Sequence, residues 1–328
     1  MKYKLFILTM VLLVVSLNLA YAGNNLRLGT AGAQELRIPV GSRGVAMGGA
    51  VIADARGVES VFWNPAGLAN TPGTQVMFMH HPYIADINVN FVGVATRIED
   101  FGTIAAAAKI VSIGDIKETT EDAPFGTGRF FSPSLSVMSL SYSRLLTGQV
   151  AFGANALFIS EKIADMSASG MAFDIGIMFD PNWNGLTMGM VIKNYGPQMS
   201  FSGHKINIGD RPGEPTSSKF ELPSTVDFGM SLKVLEQDRN IAKLNGNFRS
   251  NNFGNDQFLG GAEYVFDEKY SLRAGYSYSD QADYLFGFSA GGGLTFDLGE
   301  TAMSFEFAWA ETGDIFDANQ YFTFTLQF

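Results

Sequence analysis

The sequence predicts an all-β protein: a transmembrane antiparallel β-barrel of about 14 strands with an N-terminal plug segment in the lumen. Three observations predict it. Segments of strand length alternate apolar and polar residues nearly all the way from residue 74 to residue 328. Charged residues make up only 16% of the chain, against about 25% in soluble domains, so part of the surface meets something other than water. Beyond residue 22 no stretch holds the roughly 18 consecutive apolar residues of a membrane-spanning helix, which leaves strands to do the crossing.

In chain order, residues 1–22 read as a cleavable secretory signal peptide. Lys2 and Lys4 precede an apolar run from Leu5 to Leu19, and Ala20-Tyr21-Ala22 supplies the small-residue cut site before Gly23. The chain has no cysteine, which removes disulfides, thiolate metal sites and a lipid anchor at the cut. A net charge of -10 sets the protein against nucleic acid, because phosphate binding needs an excess of Lys and Arg.

Residues 23–73 form the expected plug. Gly29 to Ala69 is the one long stretch that does not read as strand, and it is rich in small residues (Gly41, Gly44, Gly48, Gly49, Ala50) that suit an enclosed space. A lone Arg43 sits among them, and a buried arginine needs a carboxylate such as Glu263 or Glu306. In Trp63-Asn64-Pro65-Ala66-Gly67-Leu68, Asn64 can close a turn that Pro65 fixes and Gly67 relieves. Trp63 is expected to pack this segment against the wall.

Residues 74–328 form the barrel. Strands are expected at 75–81, 86–98, 102–113, 133–145, 149–162, 169–179, 186–195, 223–235, 240–250, 256–267, 270–279, 285–297, 301–311 and 319–328. The last shows the pattern best: Phe322, Phe324, Leu326 and Phe328 share one face, and Tyr321, Thr323, Thr325 and Gln327 the other. A soluble sandwich also alternates, but its outer face carries many charges. Here the polar face holds single charges (Asp174, Asp227, Glu263, Arg273, Glu306) that suit lumen residues pairing across an interior. Connections after even-numbered strands are short, while 114–132 and 196–222 are long and follow odd-numbered ones. Short turns belong on the periplasmic side, which puts the plug and Phe328 there.

Gly32, Ala33, Gln34, Leu36, Gly41, Arg43, Met47 to Ala50 and Trp63 to Leu68 resemble, in order and spacing, the opening of the PorV/PorQ family of outer-membrane proteins, which is itself similar to the FadL-type transporters of hydrophobic compounds. One departure is visible: Ala55-Arg56-Gly57-Val58-Glu59-Ser60 stands where relatives carry an acidic Asp-Asp-Ala-Ser run. The resemblance implies two functions. One is a protein-binding component of a type IX-like secretion route that captures C-terminal signal domains of exported proteins, with the Gly-, Pro- and Ser-rich loop 203–219 ordering on the partner. The alternative is a FadL-like channel for passive uptake of hydrophobic small molecules, aided by Phe125, Phe130, Phe131 and Phe201 in the loops. Both place the protein in the outer membrane, against lipid.

No enzyme and no cofactor is expected. Gly287-Phe288-Ser289-Ala290-Gly291 fits G-x-S-x-G but lies within a strand, with the last histidine, His204, upstream. His80 and His81 point to opposite faces of a strand end, and Glu118, Glu121 and Asp122 lack the spacing of a calcium loop.

Overall fold

The computed structural model describes residues 27, 29–203, 217–280, 286–313 and 317–328. The expected signal peptide and most of the 203–219 loop lie outside these residues. The described chain forms β1 (Thr74–Pro82), β2 (Asn88–Ile98), β3 (Gly102–Ser112), β4 (Ser134–Leu145), β5 (Val150–Ile163), β6 (Met166–Phe179) and β7 (Leu186–Tyr195). It continues with β8 (Thr225–Gln237), β9 (Asn240–Asn251), β10 (Gln257–Phe266), β11 (Tyr270–Ser279), β12 (Phe288–Leu298), β13 (Thr301–Ala310) and β14 (Asn319–Gln327). Every strand pairs antiparallel with its sequence neighbours, and β1 pairs with β14 from Gln75 opposite Gln327 to His80 opposite Phe322. The sheet is therefore a closed barrel of fourteen strands. Closure satisfies every edge, which a strand in lipid requires.

The expected strands lie where alternation placed them because lipid and lumen make opposite demands on successive residues. Outward-facing Phe78, Leu140, Ile175, Phe228, Leu272 and Phe305 are exposed, whereas inward-facing Asp174, Asp227, Glu263 and Arg273 are buried. Two small pieces of sheet escaped the pattern. Ile116–Lys117 pairs with Phe130–Phe131 in the loop after β3, and Ser202–Gly203 pairs with Met166 and Ser167 of β6.

Inside the wall runs the N-terminal segment, as the 3₁₀ turn Gln34–Arg37, α1 (Ser42–Ala46), α2 (Ser60–Trp63) and the 3₁₀ turn Pro65–Asn70. Such short helices leave many carbonyls unpaired, and the inward polar residues of the wall bond to them. Lys109 of β3 donates to Ile38 O, Ser143 of β4 to Ala66 O, Asn155 of β5 to Val61 O, Asn247 of β9 to Gly49 O and Ser289 of β12 to Ala46 O. Asn64 bridges from inside, donating to Ile52 O and to Ile177 O of β6 while accepting from Ala66 N.

One expectation is corrected. The parity of the strands puts Phe328 at the short-turn end, where Thr74 N donates to Phe328 O. The beginning of the inner segment, however, is at the long-loop end. Arg27 pairs with Glu221 at 2.7 Å and stacks on Phe253 at 4.2 Å, both in connections of that end. Ala33 and Leu36 lie in an apolar cluster with Val137, Leu157, Ile159, Ala168, Met199 and Leu222 at the loop-end half of β4 to β6. Burial of these side chains draws the chain up the wall, so it is threaded through the bore from one mouth to the other.

Where the segment presses on the wall, the wall has no side chain. A Cβ at Gly275 would fall 2.2 Å from both Gly48 N and Met47 C, whereas one at Gly260 would meet nothing within 4 Å. Gly275→Ala is expected to lower the unfolding free energy by about 1–3 kcal/mol through overpacking, and Gly260→Ala to leave it unchanged. The urea midpoint of the vesicle-inserted protein checks both.

Candidate functional site

The inner segment is fastened by one ionic cluster in the turn-end half of the lumen. α1 presents Arg43 there, with its side chain 3% exposed. Its Nε donates to Glu263 Oε1 at 3.0 Å and its Nη2 to Glu263 Oε2 at 3.2 Å. Nη1 reaches Asp54 O at 3.0 Å and Glu59 Oε1 at 3.1 Å, and Nη2 also pairs with the Asp54 carboxylate. Glu263 in turn accepts from Arg273 Nε at 2.8 Å and Arg56 Nη2 at 2.9 Å. Arg273 pairs with Glu306 and Lys243 with Asp54. Four cations thus face four carboxylates, a balance that a water-poor interior demands.

The shared charges set the ionisation of the inner segment. Burial works against the charge on Arg43, but Glu263, Asp54 and Glu59 outweigh it and hold the guanidinium well above its ordinary range. Burial likewise opposes the Asp54 charge, yet Arg43 and then Lys243 hold that carboxyl below the usual carboxylate range. Burial prevails at Glu59, whose carboxyl is raised despite Arg43. Asp54 therefore fastens the segment above its ordinary range and releases as pH falls through its lowered value, while Glu59 acts in the opposite direction.

The structure brings together Arg43, Glu263, Arg273 and Glu306 from the residues singled out in the sequence. It places Asp174 and Asp227 elsewhere: Asp174 accepts from Asn155 Nδ2 and Asn194 N, and Asp227 pairs with Arg249 at 2.7 Å. Asp54, Arg56, Glu59 and Lys243 were not singled out as lumen charges. Lys243 stands directly opposite Glu263 across β9 and β10, so strand alternation alone could have found it. Asp54 and Glu59, just before and within the 55–60 stretch, carry the carboxylates that Arg43 needs. Met47 packs at 0% exposure and Trp63 donates to Val40 O, both in the apolar core of the inner segment. The glycines Gly41, Gly48 and Gly49 have φ of 87°, 63° and 80°, which only glycine adopts without strain. Pro65 opens the 3₁₀ turn that contains Gly67, and a Cβ at Gly67 would strike Ala55 O at 2.3 Å.

Other motifs have structural duties. Ser289 of the G-x-S-x-G match donates its hydroxyl to Ala46 O, so it ties the segment to the wall. His80 bonds to Asn90 on the outer face, and His81 stacks on Tyr321 at 3.7 Å inside. Glu118 pairs with Arg129 in its hairpin. Among the described residues, no group of three His, Asp or Glu side chains is placed to hold a metal ion.

Above the inner segment, at the long-loop end, lies a cavity of about 420 Å³. Val45, Gly48, Gly49, Phe62 and Trp63 line its floor. Tyr83, Ile87, Val111, Leu135, Phe288 and Tyr321 make one wall apolar, whereas Lys193, Asn194, Arg249, Asn251 and Gln257 make the opposite wall polar. The Lys193 ammonium sits 3.8 Å from the Phe62 ring centroid, and Lys109 sits 4.9 Å from it. A second space of about 40 Å³ shares Leu36, Phe62 and Lys193 with the first and reaches Val40, Val61 and Asp174. A pocket with a large apolar wall and a few placed polar groups can receive a small hydrophobic molecule. It was not legible in the sequence, since its lining is drawn from the inner segment and from strands all round the ring.

No protein-family model matches the sequence, and no curated protein matches it either. The fold is similar to the toluene transporter TodX of Pseudomonas putida, with a TM-score of 0.58 and 13% identity over 88% of this chain and 97% of that one. It is also similar to the CymD monoaromatic hydrocarbon channel, with a TM-score of 0.54 and 13% identity over 88% and 96%. A FadL homologue of Pseudomonas aeruginosa gives 0.50 and 12% over 88% and 97%. The chain thus has the closed barrel fold of FadL-like channels.

Removing Arg43 takes from Glu59 its cation and leaves Glu263 with Arg273 and Arg56 and Asp54 with Lys243. Arg43→Ala is expected to destabilise the protein by about 3–5 kcal/mol, and Arg43→Lys to recover only part of this because an ammonium lacks the fork that holds three carboxylates. Unfolding of the two variants in urea reads the difference.

Proposed function

We propose that this protein is an outer-membrane channel for passive uptake of hydrophobic small molecules, with residues 23–73 as its plug and gate. The observation that carries the proposal is the half-apolar cavity seated on the inner segment at the long-loop end. It offers a receiving site whose floor must move before anything passes. The likeness to a toluene transporter and a monoaromatic hydrocarbon channel supports the same class of cargo. The exposed apolar belt of the wall supports placement in lipid. The secretion reading rests on the resemblance of the opening motif to PorV and gains nothing from this geometry, because its proposed partner loop falls mostly outside the described residues.

On this reading Arg43, Glu263, Arg273 and Glu306 hold the gate shut, Gly41, Gly48 and Gly49 shape it, and Met47, Trp63, Asn64, Pro65 and Gly67 keep it compact. No residue is assigned a catalytic role. Ser42 and Thr323 offer a direct test, since their hydroxyls are 2.8 Å apart and the chain has no native cysteine. The pair Ser42→Cys and Thr323→Cys, oxidised, is expected to stop uptake of radiolabelled toluene into proteoliposomes, and a reductant to restore it. Toluene uptake no faster than in empty vesicles, together with a C-terminal domain of an exported protein retained by the purified barrel, would replace the channel with a carrier.

A further inference from the structure

The first turn of the inner segment carries a second fastening, independent of the Arg43 cluster. Glu35 of the Gln34–Arg37 turn lies between Ala33 and Leu36 of the loop-end apolar cluster, lines the cavity and is 2% exposed. Among the described residues, neither of its carboxyl oxygens has a hydrogen-bond donor. The group against it is the Glu161 carboxyl of β5, which is 5% exposed and faces the Ala33 amide. Lys109 of β3 is the nearby cation, and its ammonium donates to Ile38 O at 2.9 Å rather than to Glu35. Asp174 of β6 and Lys193 of β7 stand beside Lys109, while Val137 of β4, Ala168 and Ala172 of β6, and Met199 and Leu222 of the loop between β7 and β8 pack against Ala33 and Leu36. Two carboxylates in an apolar setting repel, while a carboxylic acid and a carboxylate form a short, strong hydrogen bond.

We propose that Glu35 and Glu161 hold one proton between them, and that this proton fastens residues 31–38 to the barrel wall beside the cavity. The segment then works as a proton-controlled strap. It has other ties at the loop end: Lys109 Nζ donates to Ile38 O, Gly32 N donates to Glu221 O, and Ala33 and Leu36 contribute packing. Burial first, and the Glu161 carboxylate second, push the Glu35 carboxyl from 4.5 to about 8. Freed from the wall, Glu35 returns to its ordinary range, so fastening takes up a proton at any pH between the two values. The strap is therefore firmest in acid, loosens as pH rises through that window and changes no further above about 8.

Hydrogen exchange of the full-length protein in lipid nanodiscs tests this, because protection factors already correct for the intrinsic effect of pH. For amides of residues 31–38 we expect protection to fall about tenfold per pH unit between pH 5 and pH 7.5, the slope of one linked proton. Glu35→Gln supplies an amide donor that does not titrate, so its protection should stay flat across the range. Glu161→Gln removes the same proton from the other side and should do likewise. Protection that is independent of pH in the wild type, or a fall of the same slope in either Gln variant, would overturn the proposal. If one variant does not assemble, the other and the wild-type profile still decide. The readout is the strap itself, so the result does not depend on what the channel carries.

Discussion

The structure depends on a single buried guanidinium. Arg43 can lie inside the barrel only because three carboxylates meet it, and those carboxylates come from two places: Asp54 and Glu59 from the segment itself, Glu263 from the wall. The first two fold the segment around α1, and the third sets its position against β10. Arg56, Lys243 and Arg273 then neutralise the excess negative charge. Without the wall, the segment would keep Asp54 and Glu59 around Arg43 but lose Glu263, Lys243 and Arg273. Without the segment, Glu263 and Arg273 would face a water-filled bore.

Backbone satisfaction follows from the same placement. A segment of four short helical turns has too few internal hydrogen bonds to be stable alone. The wall's inward serines, asparagines and lysine complete them from β3 round to β12. The inward glycines do the complementary task of letting backbone approach backbone. Segment and barrel thus form one packed object with its cavity at one end, rather than a stopper resting in a tube.

The barrel was legible because its constraint is local: each residue of Gln320 to Phe328 faces lipid or lumen according to whether its number is even or odd. Arg43 was legible as a charge in need of a partner, and Glu263 and Glu306 as charges on the inward face. The rest of the cluster was not, because Lys243 and Asp54 are 189 residues apart and meet only when the ring closes. The cavity and the Glu35 to Glu161 contact share that difficulty. The start of the inner segment was misplaced for a simpler reason. Parity locates the end of the segment that joins β1, and says nothing about where its other end goes; the decision lay with Ala33 and Leu36, two ordinary apolar residues with no motif around them.

With Arg27 at one mouth and Thr74 at the other, the inner segment is a cord through a ring. A ring that is already closed admits such a cord only by pulling a charged, folded stretch lengthwise through its own bore. A sheet that is still open can wrap around it. The topology suits an order in which the contacts of Arg43, Asn64 and Asn155 precede the pairing of β1 with β14. The contents of the lumen are the mandrel on which the wall is wound, and a chain that lost them would have to find its curvature without a template.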